Sequence, residues 1–310
     1  MSAAQLDPSV SIIVPTYNED ADIGRTLAAL SNLRYRNKEV IVVDDASTDR
    51  TVERVREYVR RCGFKLIRQG SNRGVAAARN EGIKQAAGEI VVILNADVSP
   101  EPDFLDRIVP HYRQSCDYLL VESCVANQEY LFPRFLEAEH HFLYDGQAWI
   151  NWTEGFSCRK SAALAVGLFP EEIPGASGED AVFGERLERR FLKVIDKTIV
   201  VHHIAPATLR AYWRQRLGRG RGISFRRFFL DQGSLLDLSF LSVKFTARAL
   251  VDTLMIIPIA RRALRVSRFS TRGRADWLRF AWATLVERWG ETLGMWMGVA
   301  YTLGRRPERE

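Results

Sequence analysis

The sequence predicts an α/β protein, a mostly parallel sheet flanked by helices, followed by an α-helical C-terminal region. Three observations lead there. Short continuous apolar runs, of which Val91-Val92-Ile93-Leu94 is the clearest, read as strands covered on both faces. Those runs alternate with helical patterns, and the connections are short enough to require right-handed crossovers. Beyond Leu235 the chain becomes apolar and Arg-rich over two long helical stretches.

Taken in order, Val10–Val14 is a first strand ended by Pro15, and Pro15–Glu19 is a turn. A helix runs from Ala21 to Leu30. Glu39–Val43 is a second strand ended by Asp44-Asp45, and Ala46–Asp49 leads into a helix through Arg60. Phe64–Ile67 is a third strand. Asn72-Arg73-Gly74 opens an Ala-rich helix that runs to Ala87, where Gly88 suits a left-handed cap. The fourth strand ends at Asn95-Ala96-Asp97. Next come a helix over Glu101–Ser115, a strand over Tyr118–Val121 and a helix over Phe132–Ile150 that carries His140 and His141. Adjacent histidines on a helix point about 100° apart, so these two read as structural or surface residues. Gly178-Glu179-Asp180 precedes an amphipathic helix containing Val182, Phe183 and Leu187. Lys193–Ile195 and Ile199–Val201 read as a pair of short strands ending at His202-His203. Arg210, Arg214, Arg216, Arg219 and Arg221 then fall on a helix and a Gly-rich loop, and the final helices cover Leu238–Arg265 and Trp277–Leu303.

The strands all end in polar residues, and in an open parallel sheet those ends meet along one edge, where ligands bind. Asp45, Asp97, Arg73 and Tyr17 would share that rim. An aromatic ring, carboxylates, an arginine and room for a cation suit a nucleotide diphosphate. No Gly-x-Gly-x-x-Gly follows the first strand and no Gly-Lys-Ser/Thr loop occurs, which disfavours a dinucleotide fold and a P-loop NTPase. Residue type alone leaves the carboxylates open, because Asp97 could simply cap the next helix and Glu179 and Asp180 suit any helix start. Strand neighbours point to opposite faces, so only one of His202 and His203 would reach the rim.

Composition sets further bounds. A chain of 310 residues with 46% hydrophobic and 26% charged residues is an ordinary globular protein of one or two domains. Cys62, Cys116, Cys124 and Cys158 show no metal or redox spacing and read as free thiols in a reducing compartment. The polar N-terminus predicts no secretory signal. Residues 1–204 hold 24 of the 44 basic and 30 of the 38 acidic side chains, so the remainder is strongly basic. That asymmetry suits an anionic partner, and base-reading motifs for nucleic acid are absent. The longest charge-free runs in the tail, Thr253–Ala260 and Thr292–Gly304, fall short of the ~20 residues that span a bilayer. Trp277, Trp282, Trp289 and Trp296 with flanking arginines suit a helix lying in a membrane interface. The alternative is a helical hairpin packed on protein.

Val10–Glu19, Val42–Asp49, Asn72–Asn80 and Asn95–Leu105 resemble the motifs of inverting family 2 glycosyltransferases of the GT-A fold. So, in the same order, do Gly155, Gly167-Leu168-Phe169-Pro170, Gly178-Glu179-Asp180 and His202-His203. The resemblance implies a GT-A catalytic domain over residues 1–220, and the charge and tryptophan pattern leaves a basic, membrane-associating helical region over 221–310. The resemblance also implies a donor site of Pro15, Tyr17, Glu19, Asp45, Arg73, Asn95 and Asp97. Tyr17 would stack on the base, Asp45 (or Asp44) would bond its edge, and Arg73 would approach it. Asn95, where the family has an aspartate, would face the ribose, and Asp97 with His203 would bind Mn²⁺ or Mg²⁺. Asp180 would be the general base, with Glu179 orienting the helix start or the acceptor. Asn151–Phe156 would be the acceptor-side loop, with Trp152 either stacked on a sugar or lipid head or part of the core. The processive Gln-x-x-Arg-Trp motif is absent, which implies single addition.

The expected function is transfer of one sugar from a nucleotide-diphosphate donor, a UDP-sugar first, to an acceptor hydroxyl that a lipid carries. The expected location is cytoplasmic, peripheral on the inner face of a membrane. The alternatives are a nucleotidyltransferase, disfavoured by the lack of a Gly-rich activating loop after the first strand, and a non-catalytic membrane-binding protein using the basic tail.

Overall fold

The computed structural model describes residues 7–144, 154–172 and 178–304. Its first four strands are β1 (Val10–Thr16), β2 (Lys38–Asp44), β3 (Lys65–Arg68) and β4 (Ile90–Ile93). They alternate with α1 (Ile23–Ser31), α2 (Thr51–Cys62) and α3 (Val75–Gln85). β2 pairs in parallel with β3 and β1, and β1 in parallel with β4. The rest of the sheet comprises β5 (Val98–Pro100), β6 (Tyr118–Val125), β7 (Phe156–Arg159) and β8 (Lys193–His203), in the overall order β3-β2-β1-β4-β7-β6-β8-β5. β7 runs antiparallel to β4 and to β6, and β5 antiparallel to β8. This is the GT-A-type mixed sheet flanked by helices.

Period-two alternation divides the apolar runs between two cores. Ile12, Val14, Val40, Val42 and Val92 join Leu27 and Leu30 of α1 on one face. Ile13, Ile41, Val43, Val91 and Ile93 join Ala78 and Ile83 of α3 on the other. Each such side chain, fully buried, contributes about 1.5–3 kcal/mol. The second core also receives Phe169 and Phe183, stacked with ring centroids 4.0 Å apart.

Several sequence expectations change. β1 continues through Pro15 instead of stopping before it. Pairing with β4 ends at Ile13, whose carbonyl accepts the Leu94 N–H, so the missing N–H of Pro15 falls where no strand faces it. Gly88 is not a left-handed cap: α3 ends at Gln85 with Ala86 extended. A Cβ at Gly88 would lie 2.6 Å from the Ser11 backbone nitrogen, so close approach to β1 explains this glycine. The expected pair of short strands before His202 is the single strand β8. The expected first tail helix breaks at Ile256, giving α9 (Leu235–Met255) and α10 (Ile257–Val266).

The chain forms two compact units. One comprises Met1–Cys124, Trp149–Glu171 and Asp180–His203; the other comprises Val125–Ala148, Glu172–Glu179 and Ile204–Glu310. The first holds the sheet, with α4 (Phe104–Gln114), α6 (Lys160–Ala165) and most of α7 (Glu179–Glu188). The second is helical, containing α5 (Leu131–Tyr144), α8 (Leu209–Phe225), α9, α10 and α11 (Trp277–Gly304). Its apolar centre joins Phe132 and Phe135 to Tyr212, Val266 and Phe280. Phe132 stacks on Tyr212 at 4.4 Å, and Phe135 meets Phe280 edge-on at 5.2 Å. Arg134 and Asp276 pair inside it at 2.6 Å, both almost fully buried.

The expected Gly-rich loop is helical, because its glycines let α8 and α11 touch backbone to backbone. A Cβ on Gly294 would lie 2.2 Å from the Leu217 carbonyl oxygen, and one on Gly220 2.0 Å from that of Glu291. Arg216, one of the arginines expected on that helix and loop, is fully buried against Glu287 at 2.9 Å. The Trp289 and Trp296 indoles donate to Thr253 and Thr246 of α9 at 3.0 and 2.9 Å. Gly294→Ala is expected to destabilise the protein, because about 1–3 kcal/mol of overpacking exceeds the ~1 kcal/mol gained in helix propensity. Gly218→Ala, with nothing within 4 Å, is expected to be neutral or stabilising, and urea unfolding of both variants checks the contrast.

Candidate active site

The rim is built by the turns that follow β1 and β2, which stitch to each other. Asn18, in the left-handed region at φ 56°, donates its N–H to Ser47 Oγ at 2.9 Å and accepts the Thr48 N–H at 2.8 Å. The Glu19 N–H reaches Thr51 Oγ1 at 2.8 Å. These bonds leave Tyr17 at the crest, 45% exposed, with its ring open to a stacking partner. Asp45 is buried, and its two carboxylate oxygens accept the Arg73 and Gly74 N–H groups at 2.7 and 2.8 Å. Burial raises its pKa, while those two amides act in the opposite direction. Asp44 is enclosed, taking the Ser47 N–H and the Arg68 guanidinium. The Arg73 side chain pairs with Glu171 at 2.8 Å.

Beyond β4 the chain turns through Asn95 and Asp97 into β5, whose Val98 pairs with His203 of β8. That register sets His203 beside Asp97. The Ser123 hydroxyl lies 2.9 Å from His203 Nδ1, which leaves Nε2 as the ring nitrogen for a ligand. Burial pushes Asp97 up to about 6; the imidazole of His203 holds it down part of the way, and Glu154 and Asp22 add to the rise. Glu19 is pushed to about 7, by burial first and then by Asp97, Asp22 and Asp49. Burial first, and neighbouring carboxylates after it, disfavour the charged forms of both groups, a penalty that a bound divalent cation would relieve. Among the described residues no three His, Cys, Asp or Glu side chains form a metal-ligating cluster. Asp97 and His203 are side chains of this rim that could contribute ligands to a divalent cation.

Asn95 is anchored by Arg79, whose guanidinium donates to its side-chain oxygen at 3.1 Å and lies 5.2 Å over the Phe169 ring. Asn80 ties the same region together, donating to the Phe169 carbonyl and to Glu171 at 2.9 Å each. Pro15 lies inside β1 just before the turn. Glu179 opens α7 and is buried, and Asp180 follows it, its carboxylate accepting the Ala181 N–H at 2.7 Å. His202 faces away from His203, 3.9 Å from Glu101. Trp152, with Asn151 and Thr153, lies outside the described residues. Gly155 is described: at φ 77°, a Cβ there would meet Val121 at 2.5 Å.

Sequence reasoning missed Arg79, Ser123, Glu154 and Glu171. Ser123 had a signal, the polar Glu122-Ser123 interruption in an otherwise apolar strand. Glu154 had another, as a carboxylate beside a glycine in the expected acceptor loop.

Residues 11–171 match the family described as Glycosyl transferase family 2, more than half of the chain, and the chain belongs to that family. It is 33% identical over 109 residues to a dolichol-phosphate mannosyltransferase of Pyrococcus furiosus, covering 35% of this chain and 31% of that one. Among solved structures it resembles the mannosyltransferase PcManGT of Pyrobaculum calidifontis, in complex with GDP-Man and Mn²⁺ (TM-score 0.63, 20% identity, 96% of this chain and 88% of that one). It also resembles S. aureus TarS 1-349 in complex with UDP-GlcNAc (TM-score 0.55, 19% identity, 96% and 92%). At those identities the likeness is one of fold. The chain spans between 23% and 52% of the length of the first curated relatives it matches.

A carboxylate with a raised folded-state pKa contributes stability that is fully present below its ordinary value and lost as pH rises through the raised one. For Asp97 that window runs from 3.8 to about 6. In metal-free protein held in chelator, Asp97→Asn is expected to stabilise the fold near pH 7 by about 1–3 kcal/mol and to leave it unchanged near pH 4. Urea titrations at the two pH values measure the difference.

Proposed function

We propose that the protein is an inverting glycosyltransferase that moves one sugar from a nucleotide-diphosphate donor, a UDP-sugar first, to an acceptor hydroxyl. One observation carries this reading. The crowded carboxylates around Asp97, with His203 beside them, sit at the C-terminal end of β4, on the sheet edge that also presents Tyr17 and Asp45. Tyr17 stacks on the base. Asp45 accepts from the base edge while it holds the Arg73–Gly74 backbone in place. Asn95, positioned by Arg79, meets the ribose. Asp97 and His203 would hold Mn²⁺ or Mg²⁺, which when bound neutralises charge on the diphosphate.

Asp180 takes the proton from the acceptor hydroxyl as that oxygen attacks the anomeric carbon opposite the leaving nucleotide, and Glu179 orients the start of α7. A single carboxylate suffices for inversion, because the leaving diphosphate needs no proton. Donor chemistry belongs to residues 1–220 and membrane attachment to 221–310. The acceptor is lipid-linked, a reading supported by the dolichol-phosphate mannosyltransferase among the relatives. The protein then works as a peripheral protein at the cytoplasmic face of a membrane. Among the described residues no helix is long and apolar enough to cross one.

Calorimetric titration with UDP and GDP, with and without Mn²⁺, tests the donor half. UDP is expected to bind only with the metal, and Asp97→Ala to weaken it at least roughly tenfold. Asp180→Ala is expected to retain UDP binding and to lose about 10²–10⁴ in transfer rate. Binding of GDP alone would change the donor; binding of neither nucleotide to folded protein would end the reading.

A further inference from the structure

α9 is amphipathic in the inverse sense. Its buried positions are Leu238, Ser242, Ala249 and Asp252, mostly small or polar. Its outward positions Leu236, Phe240, Val243, Leu250 and Leu254 are 82%, 74%, 54%, 46% and 83% exposed. Their spacings of four, three, seven and four place them in one stripe along a helix of 3.6 residues per turn, roughly 30 Å long. Isolated surface leucines are ordinary, but a continuous stripe of this length marks an interaction face.

At the end of the stripe the chain turns through Ile256 at φ 46°, a left-handed conformation that a β-branched residue adopts only under constraint, and Pro258 starts α10. Met255, Ile256 and Ile257 project at this elbow, 54–59% exposed. A shallow groove of about 270 Å³ opens beside them, lined by Ile256, Ile257, Ala260, Arg261, Leu264 and Trp277.

The charge around the stripe selects its partner. Between Leu238 and Ala275 the one acid is Asp252, which is buried and pairs with Arg288 at 3.2 Å. Apart from Asp237, which is tied to Ser234 in the first turn of α9, every exposed charge from the start of α9 to Ala275 is positive, including Lys244, Arg248, Arg261 and Arg268. A second copy would set these cations against their equivalents. Anionic lipid headgroups would neutralise them while the acyl boundary takes the stripe.

We propose that α9 and the Met255–Ile257 elbow are the membrane-docking surface, with α9 lying in the headgroup plane of an anionic bilayer and the elbow seated deepest. This identifies the surface behind the membrane-attachment part of the proposed function and is independent of the transfer chemistry.

The test is co-sedimentation of the full chain with vesicles of phosphatidylcholine and of an equimolar phosphatidylcholine–phosphatidylglycerol mixture, with UDP calorimetry on every variant. The wild type is expected to bind the anionic vesicles preferentially. Phe240→Glu with Leu254→Glu is expected to weaken that binding roughly ten- to a hundredfold. Arg261→Glu with Arg268→Glu is expected to remove the preference for anionic lipid. All these positions are exposed, so UDP affinity should not change. Absence of vesicle binding by the wild type, or binding that survives the Phe240–Leu254 variant, overturns the proposal. So does a lipid-independent dimer in sedimentation velocity that this variant dissociates. Absence of UDP binding alongside intact vesicle binding would remove the transferase reading and leave the docking surface standing.

Discussion

The first unit depends on β4 having two kinds of neighbour. It runs parallel to β1 on one side and antiparallel to β7 on the other, with all four residues fully buried. Its four residues are all apolar, and polar side chains begin only where it leaves the sheet. Polarity therefore begins abruptly at Asn95, in the crevice where the parallel half ends. The burial that stabilises β4 also surrounds Asp97 and raises its proton affinity. Packing and electrostatics here have one cause, since a carboxylate set at the end of a dry strand lacks the water that would otherwise hold its charge.

The parallel half was legible in the sequence because each of its strands centres on a short run of Val, Ile and Leu and needs only local pattern to be recognised. In the antiparallel half β6 and most of β8 were legible too, but β7 and β5 were not. β7 reads Phe-Ser-Cys-Arg, and its buried Ser157 is tolerated because the Tyr112 hydroxyl donates to it at 2.8 Å, a partner 45 residues away. β5 has three residues and owes its existence to β8. The rim residues announced themselves through strand-end position. Arg79 and Ser123 act by holding Asn95 and His203, and such roles depend on contacts that no local spacing encodes. Gly290, Gly294 and Gly298 recur every four residues, a visible signature of close helix approach, but their partner helix was hidden behind glycines that resembled a loop.

The helical unit buries charge beside its aromatic centre. Inside it, Arg216 meets Glu287, Arg134 meets Asp276, and Arg262 pairs with Glu139, whose pKa burial pushes to about 7. Buried ion pairs add little net stability, because desolvation offsets most of the attraction, yet removing one partner is severe. They fix which helices meet and in what register. The glycine contacts between α8 and α11 act in the same direction by forbidding any looser approach. Large apolar side chains are left for the outside of α9, a distribution suited to surroundings other than bulk water.

The discontinuity of that unit bears on how the chain is made. α5 leaves the ribosome long before the helices it packs against. Phe135 must wait roughly 145 residues for Phe280, about 7–30 s at 5–20 residues per second. Tyr212, which both Phe132 and Phe135 contact, is made about halfway through that interval, so their native partners arrive in two stages. The nascent chain thus passes through a period in which one apolar helix is left waiting, and synthesis speed, or a chaperone that shields this segment, becomes a determinant of yield.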